Sequence, residues 1–223
     1  MVYSNNLPFS DSLKENLDLI RLRIENNKAS LIIIDGGLGE GKTTLAVEVA
    51  DYENSIKSLP EIDLDGPQLA MGGVQFLKKI RLCYERKLPA IIYDEAGDFG
   101  RRGALTQFNS MINRTFETFR AFKILVILVL PNFIVLDQQI LDKQIPRLFL
   151  HLKHRSKNQG NFYGYSLYRI LLLNYYMSKT KMKNYVYHKV QANIRGHFQN
   201  LTPERCITLD KISTKNKLEV LRR

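Results

Sequence analysis

At 223 residues the chain is long enough to bury one full α/β domain with some elaboration, and two such domains would be cramped. Its two cysteines, Cys83 and Cys206, lie far apart in unlike settings, which argues against a disulfide framework or cysteine-based metal cluster and makes a reducing cytoplasm the default compartment. The formal net charge of +11 is local: from Lys143 to Pro203 there are eleven Lys and Arg, seven of the eleven tyrosines and no acid, while elsewhere the bases balance the 22 acids.

The opening Met-Val-Tyr-Ser-Asn-Asn lacks the basic start and apolar block of a secretory signal. Ser10 to Ile24 reads as an amphipathic helix with Leu13, Leu17, Ile20 and Ile24 on one stripe and Ser12 and Glu15 as a capping box. It is expected to pack beside the strand that follows. Leu31 to Asp35 is an apolar run of buried-strand type, and the chain then turns through Gly36, Gly37, Leu38, Gly39, Glu40, Gly41, Lys42, Thr43 and Thr44 into a helix-forming stretch to Lys57. This is the G-x-x-x-x-G-K-[ST] pattern of a Walker A loop between a strand and a helix. Glycines let backbone amides curl toward a phosphate, and the helix start adds its positive dipole end. Lys42 is placed to reach the β and γ phosphates of ATP, and Thr43 to ligand Mg²⁺.

Leu59 to Gly73 is rich in turn residues, with a short strand at Gln68 to Met71, and Val74 to Lys87 has helical spacing with Cys83 on its core side. Ala90 to Glu95 is a second buried-type strand, ending in the consecutive acids Asp94 and Glu95. In Walker B form, Asp94 holds the Mg²⁺ shell and Glu95 polarises the attacking water in line with the γ-phosphate. Asp94-Glu95-Ala96-Gly97 also fits a GTPase D-x-x-G, but a base-reading Asn-Lys-x-Asp is missing; Asp98-Phe99-Gly100 imitates a kinase triplet without a preceding His-Arg-Asp.

A helical stretch is expected over Ala104 to Ala121, followed by the most strand-like run, Lys123 to Leu130, which ends at Pro131 and Asn132. Asn132 is the candidate γ-phosphate sensor, with a Pro-Asn turn as the plainer explanation. Arg147 to Arg155 and Phe162 to Leu173, joined by a turn at Asn158 to Asn161, read as a β-hairpin or two adjoining strands at one side of the sheet. His151 and His154 read as basic surface residues. Residues 1–203 are expected to form one domain, with 204–223 a charged tail, mobile from Lys211. The longest apolar run, Ile124 to Leu136, is broken by Pro131 and falls short of a membrane span, so a soluble protein with no membrane insertion is expected. In the acid-free segment, interleaved cations and aromatic rings suit a surface that tracks a nucleic-acid backbone, which makes DNA the expected partner; a solubilising face over packed tyrosines is the alternative.

The loop, the Asp-Glu strand, the long helix, the apolar third strand and the late hairpin, over about residues 30–172, together resemble the FtsK/HerA branch of P-loop ATPases. Within it the resemblance is to the zonular occludens toxin-like and viral genome-packaging ATPases. It implies a RecA-like core of the additional-strand (ASCE) class, with a mainly parallel sheet flanked by helices, working as a homo-oligomeric ring that couples ATP hydrolysis to DNA movement. In such a ring a neighbour's arginine completes the γ-phosphate site; Arg101, Arg102, Arg114, Arg120 and Arg155 are the candidates. Two departures stand out: no transmembrane helix follows the core, and Asn132 replaces the usual Gln. The rival readings are an AAA-like helicase loader with a separate helical lid, and a nucleotide-gated DNA-binding assembly protein with little turnover.

Overall fold

The computed structural model describes residues 8–94, 121–131, 145–153, 159–179 and 186–221. The spacing of Leu13, Leu17, Ile20 and Ile24 folds as expected into α1 (Asp11–Glu25), with those four side chains buried. The expected capping box does not form: Ser10 is the N-cap, it makes no side-chain cap bond, and its hydroxyl lies 3.3 Å from that of Ser12. The chain continues through β1 (Leu31–Gly36), α2 (Lys42–Ile56), β2 (Leu69–Met71), α3 (Gly73–Glu85), β3 (Ala90–Asp94), β4 (Leu125–Val129), β5 (Pro146–Leu152) and β6 (Gln159–Ser166). It ends with α4 (Leu167–Lys179), a 3₁₀ turn (Tyr187–Lys189), β7 (Ile194–Gln199) and α5 (Pro203–Leu221).

The seven strands form one sheet in the order β2-β3-β4-β1-β5-β6-β7. The pairs from β2 to β5 are parallel, and β5–β6 and β6–β7 are antiparallel. Strands buried on both faces read as unbroken apolar runs, and β1, β3 and β4 do so because each is covered on both sides. One face packs Ile32 and Ile34 against α1, α2 and Leu209 of α5; the other packs Leu31 and Ile33 with Phe76 and Ile80 of α3 and Ile170 and Leu173 of α4. With β4 inserted between β1 and β3, this is a RecA-like α/β architecture of the additional-strand class, with a mainly parallel sheet, flanking helices and a late β5–β6 hairpin.

Three late elements differ from the sequence reading. The stretch from Leu167 to Leu173 is helix α4, not strand: Ile170, Leu173 and Met177 are buried at helical spacing, and a short apolar run does not reveal its own period. β7 was not anticipated; its Gly196 and polar neighbours carry little strand signal. In place of a charged tail, the residues from Pro203 form α5, held by Leu209 on its apolar side and by Arg205, which meets Asp51 at 2.6 Å.

The β6–β7 pairing alternates size across the strands. Gly160 faces Phe198, Phe162 faces Gly196, and Gly164 faces Ile194, so each glycine leaves room for the large side chain opposite. A Cβ at Gly160 would overlap the Phe198 ring. The outer edge of β7 is covered by the N-terminal strap: Gln199 N–H donates to Pro8 O at 2.7 Å and Ser10 N–H to His197 O at 3.1 Å. Gly160→Ala should therefore destabilise the fold by about 1–3 kcal/mol in urea unfolding, as overpacking does.

Helix α2 is buried from Thr44 to Asn54, and Asp51, Glu53 and Asn54 on it are bonded to what surrounds it. Glu53 takes a two-pronged pair from Arg21 of α1 at 2.9 and 3.0 Å, Asp51 accepts from Arg205 of α5 and from Ile62 N–H, and Asn54 exchanges amide bonds with Gln68. Burial, with Asp51 nearby, pushes the Glu48 carboxyl up to about 8. A carboxyl whose folded pKa is raised binds its proton more tightly in the native state. Its contribution to stability is complete below the unfolded pKa, about 4.3, and is lost as pH rises toward 8. Glu48→Gln should remove this loss, making the variant more stable than the parent at pH 8–9 by on the order of 3 kcal/mol, with little difference near pH 4, by denaturant titration across pH.

Candidate nucleotide site

The sheet topology decides where the loop and the acid meet. Ile34 of β1 pairs with Val129 of β4, and Asp94 of β3 pairs with the same Val129, so Ile34 and Asp94 are level, two strand spacings apart, and β1 runs on through Asp35 to Gly36. Strands sit about 4.8 Å apart, leaving a gap of about 10 Å above the tip of β4. The loop from Gly36 to Gly41 arches over this gap and starts α2 there. Thr43, in the first turn, donates from Oγ1 to Asp94 Oδ2 at 2.6 Å.

The loop's shape requires glycine at particular points. Gly39 and Gly41 have φ of 79° and 85°, in the left-handed region, and Gly41 in that conformation is the N-cap of α2. Gly36 has φ of 152°, and a Cβ there would meet the Leu152 carbonyl of β5 at 2.9 Å. Leu38 is 99% exposed at the crest. The N-cap offers no side-chain acceptor to the first amides of α2, which leaves an end suited to an anion. Lys42 Nζ bridges the mouth of the loop, donating to Gly36 O and Gly37 O at 2.8 Å each. Burial lowers its pKa, against the opposing pull of Asp94, Asp35 and Glu40. Thr44 is buried at the base of the loop, and Glu40 N–H reaches Gly37 O at 3.4 Å.

The hydroxyl of Thr43 and the carboxylate of Asp94 are hard oxygen donors on one spot, a set that fits Mg²⁺, which takes one or two protein oxygens and completes its shell with phosphate oxygens and water. Among the described residues there is no group of three or more His, Cys, Asp or Glu that could hold a metal. Glu95, Asn132 and the arginines 101, 102, 114, 120 and 155 lie outside the described residues, as do His154 and most of the helix expected over 104–121.

The sequence reading missed one participant. Asp35, the last residue before the loop's first glycine, is buried, with His151 Nδ1 2.7 Å from its Oδ1 and Tyr187 donating its hydroxyl to Oδ2 at 2.7 Å. His151 and Tyr187 stack with ring centroids 3.9 Å apart. His151 is thus not a basic surface residue: its side chain is 18% exposed and sits across from Asp35 in the β1–β5 register. An acid ending an apolar strand was the available signal, but its partners lie more than 100 residues away. Burial and the Asp35 carboxylate push the Tyr187 hydroxyl far above its ordinary range.

Comparison with protein-family models finds no match, and comparison with curated proteins finds none. Among solved structures, the chain is similar to an E. coli MS115-1 HORMA:CdnC:Trip13 complex, at 15% identity over 66% of this chain and 62% of that one, with a TM-score of 0.40. It is also similar to a KaiC-like protein of Pyrococcus horikoshii OT3, at 13% identity, 62% and 78% coverage and a TM-score of 0.38. A third likeness is to the N-terminal domain of zonular occludens toxin from Neisseria meningitidis, at 16% identity, 62% and 84% coverage and a TM-score of 0.34. The chain spans less than two thirds of the first of these chains. At these values the likenesses add nothing to what the strand order and the loop themselves display. No helix among the described residues is long and apolar enough to cross a membrane.

If Thr43 and Asp94 share a metal, Asp94→Asn should weaken binding of a fluorescent ATP analogue about tenfold or more in Mg²⁺, yet change it less than about threefold in EDTA.

Proposed function

We propose that the chain binds ATP with Mg²⁺ at the Gly36–Thr44 loop, hydrolyses it, and uses the cycle to move DNA, as a genome-packaging or translocation ATPase of the FtsK/HerA branch. The observation that carries the reading is the 2.6 Å contact between Thr43 and Asp94, which brings the start of α2 and the end of β3 to one point. Lys42 already lies across the loop mouth; on nucleotide binding it exchanges two carbonyl acceptors for phosphate oxygens. Thr43 and Asp94 would hold Mg²⁺, which when bound would supply neutralisation of charge on the phosphates. Glu95, next in sequence after the last residue of β3, orients the attacking water, and Asn132, two residues after Leu130, senses the γ-phosphate.

DNA enters the proposal through the acid-free segment. Its tyrosines divide between core and surface: Tyr165 is buried, whereas Tyr168 and Tyr175 are 72% and 50% exposed, with Lys179 Nζ 4.4 Å from the Tyr175 ring. Exposed rings beside cations suit a nucleic-acid surface better than a merely solubilising one. The helicase-loader alternative calls for a separate helical lid, and α5 instead packs into the same core as β1 and α2. Residues 1–203 are read as one ATPase domain with α5 docked on it, acting in the cytoplasm in a homo-oligomeric ring whose neighbours each supply an arginine. Glu95→Gln should retain ATP binding while losing DNA-stimulated phosphate release by about 100-fold or more. ATP turnover that no nucleic acid stimulates would favour the nucleotide-gated assembly protein instead.

A further inference from the structure

On the sheet face that carries α3 and α4, the Tyr163, Tyr187 and Val190 region borders a cavity of about 860 Å³. Its wall extends to Gly36 and Gly37, the first glycines of the phosphate loop. Lys153, Lys189 and Arg195 line it, together with the rings of Tyr163 and Tyr187, and all five come from the acid-free segment. The Arg195 guanidinium carbon stands 5.5 Å from the centre of the Tyr163 ring. Two acids reach this wall, Glu40 and Asp35, and the latter is engaged by His151 and Tyr187.

The volume falls within the roughly 300–1,000 Å³ of small-molecule pockets, enough for a base with its sugar and phosphate. Cations at the rim suit backbone phosphates, and aromatic walls suit an unpaired base, which has a free face to stack. In a duplex both base faces are already stacked, so the wall would have nothing to offer it. Resting on the DNA reading above, we propose that this cavity takes a segment of single-stranded nucleic acid and that Asp35 couples its occupancy to the phosphate loop. The covalent path is short: Asp35 adjoins Gly36, whose carbonyl accepts the Lys42 ammonium. Tyr187, which holds Asp35, is itself part of the strand-binding wall and acts on the nucleotide site as a positioning residue.

The test titrates a fluorescein-labelled oligothymidylate into the full chain and follows anisotropy. Separately, affinity for a fluorescent ATP analogue is measured with and without saturating oligothymidylate. Lys189→Gln/Arg195→Gln should weaken strand binding about tenfold, and Lys153→Gln, just after the end of β5, about threefold. The control Lys28→Gln/Lys78→Gln, which removes two exposed cations elsewhere, should change it less than about twofold. In the parent the strand should shift analogue affinity by about fivefold or more, and Tyr187→Phe, which keeps the ring and loses the bond to Asp35, should bring that factor close to one. Strand binding by the parent that survives the cavity variants would place the strand elsewhere and overturn the inference while leaving the DNA reading intact. A parent that binds a duplex of the same length but not oligothymidylate would overturn the inference and leave the DNA reading intact, and a parent that binds neither would overturn both. Loss of analogue affinity in place of strand affinity would assign the cavity to the mononucleotide, and an unchanged coupling factor in Tyr187→Phe would remove Asp35 from the path.

Discussion

The constraint on which the site depends is the parallel register of three strands. β4 lies between β1 and β3, and Val129 is the common partner of Ile34 and Asp94, which sets the end of β3 level with Ile34, two residues before the loop begins. A change in register of one residue between β3 and β4 would turn Asp94 to the other side of the sheet, because side chains alternate along a strand. The apolar residues on both faces of β1, β3 and β4 hold this register by burial on two cores at once. The contact between Thr43 and Asp94 is therefore a consequence of sheet packing. The loop can remain open and glycine-rich because its two ends are held elsewhere.

A second constraint is the burial of α2. A helix that starts at the phosphate loop and is covered along its length cannot shift without disturbing α1, α5 and the connection to β2. Pairing buried acids with Arg21 and Arg205 offers no assured gain over an apolar core, since desolvation offsets much of the attraction. Removing one partner, however, leaves an uncompensated charge inside the protein. The arrangement fixes which helices lie beside α2, and through α2 it fixes where Lys42 and Thr43 stand.

The first half of the chain was legible because its signals are local. A Gly-rich loop between an apolar run and a helical pattern needs no distant partner to be recognised, and β1, α2, β2, α3, β3 and β4 all fell where periodicity and turn residues place them. The second half was read less well. The Ile-Leu-Leu-Leu run in α4 has no period of its own, β7 depends on glycines that matter only opposite Phe162, Phe198 and Ile194, and α5 resembles a solvated tail until Arg205 finds Asp51.

Residue type and spacing along the chain were by themselves sufficient to determine the glycine-rich turn between β1 and α2, the acid-ended strand and the basic, tyrosine-rich segment. Each is a contiguous pattern whose chemistry resides in neighbouring residues. Only the tertiary structure decided that Thr43 and Asp94 touch, that α2 is buried on every side, and that Asp35 is clasped by His151 and Tyr187. Those contacts join residues 51, 116 and 152 positions apart, and the energy that selects them comes from packing the whole sheet, which no local stretch encodes.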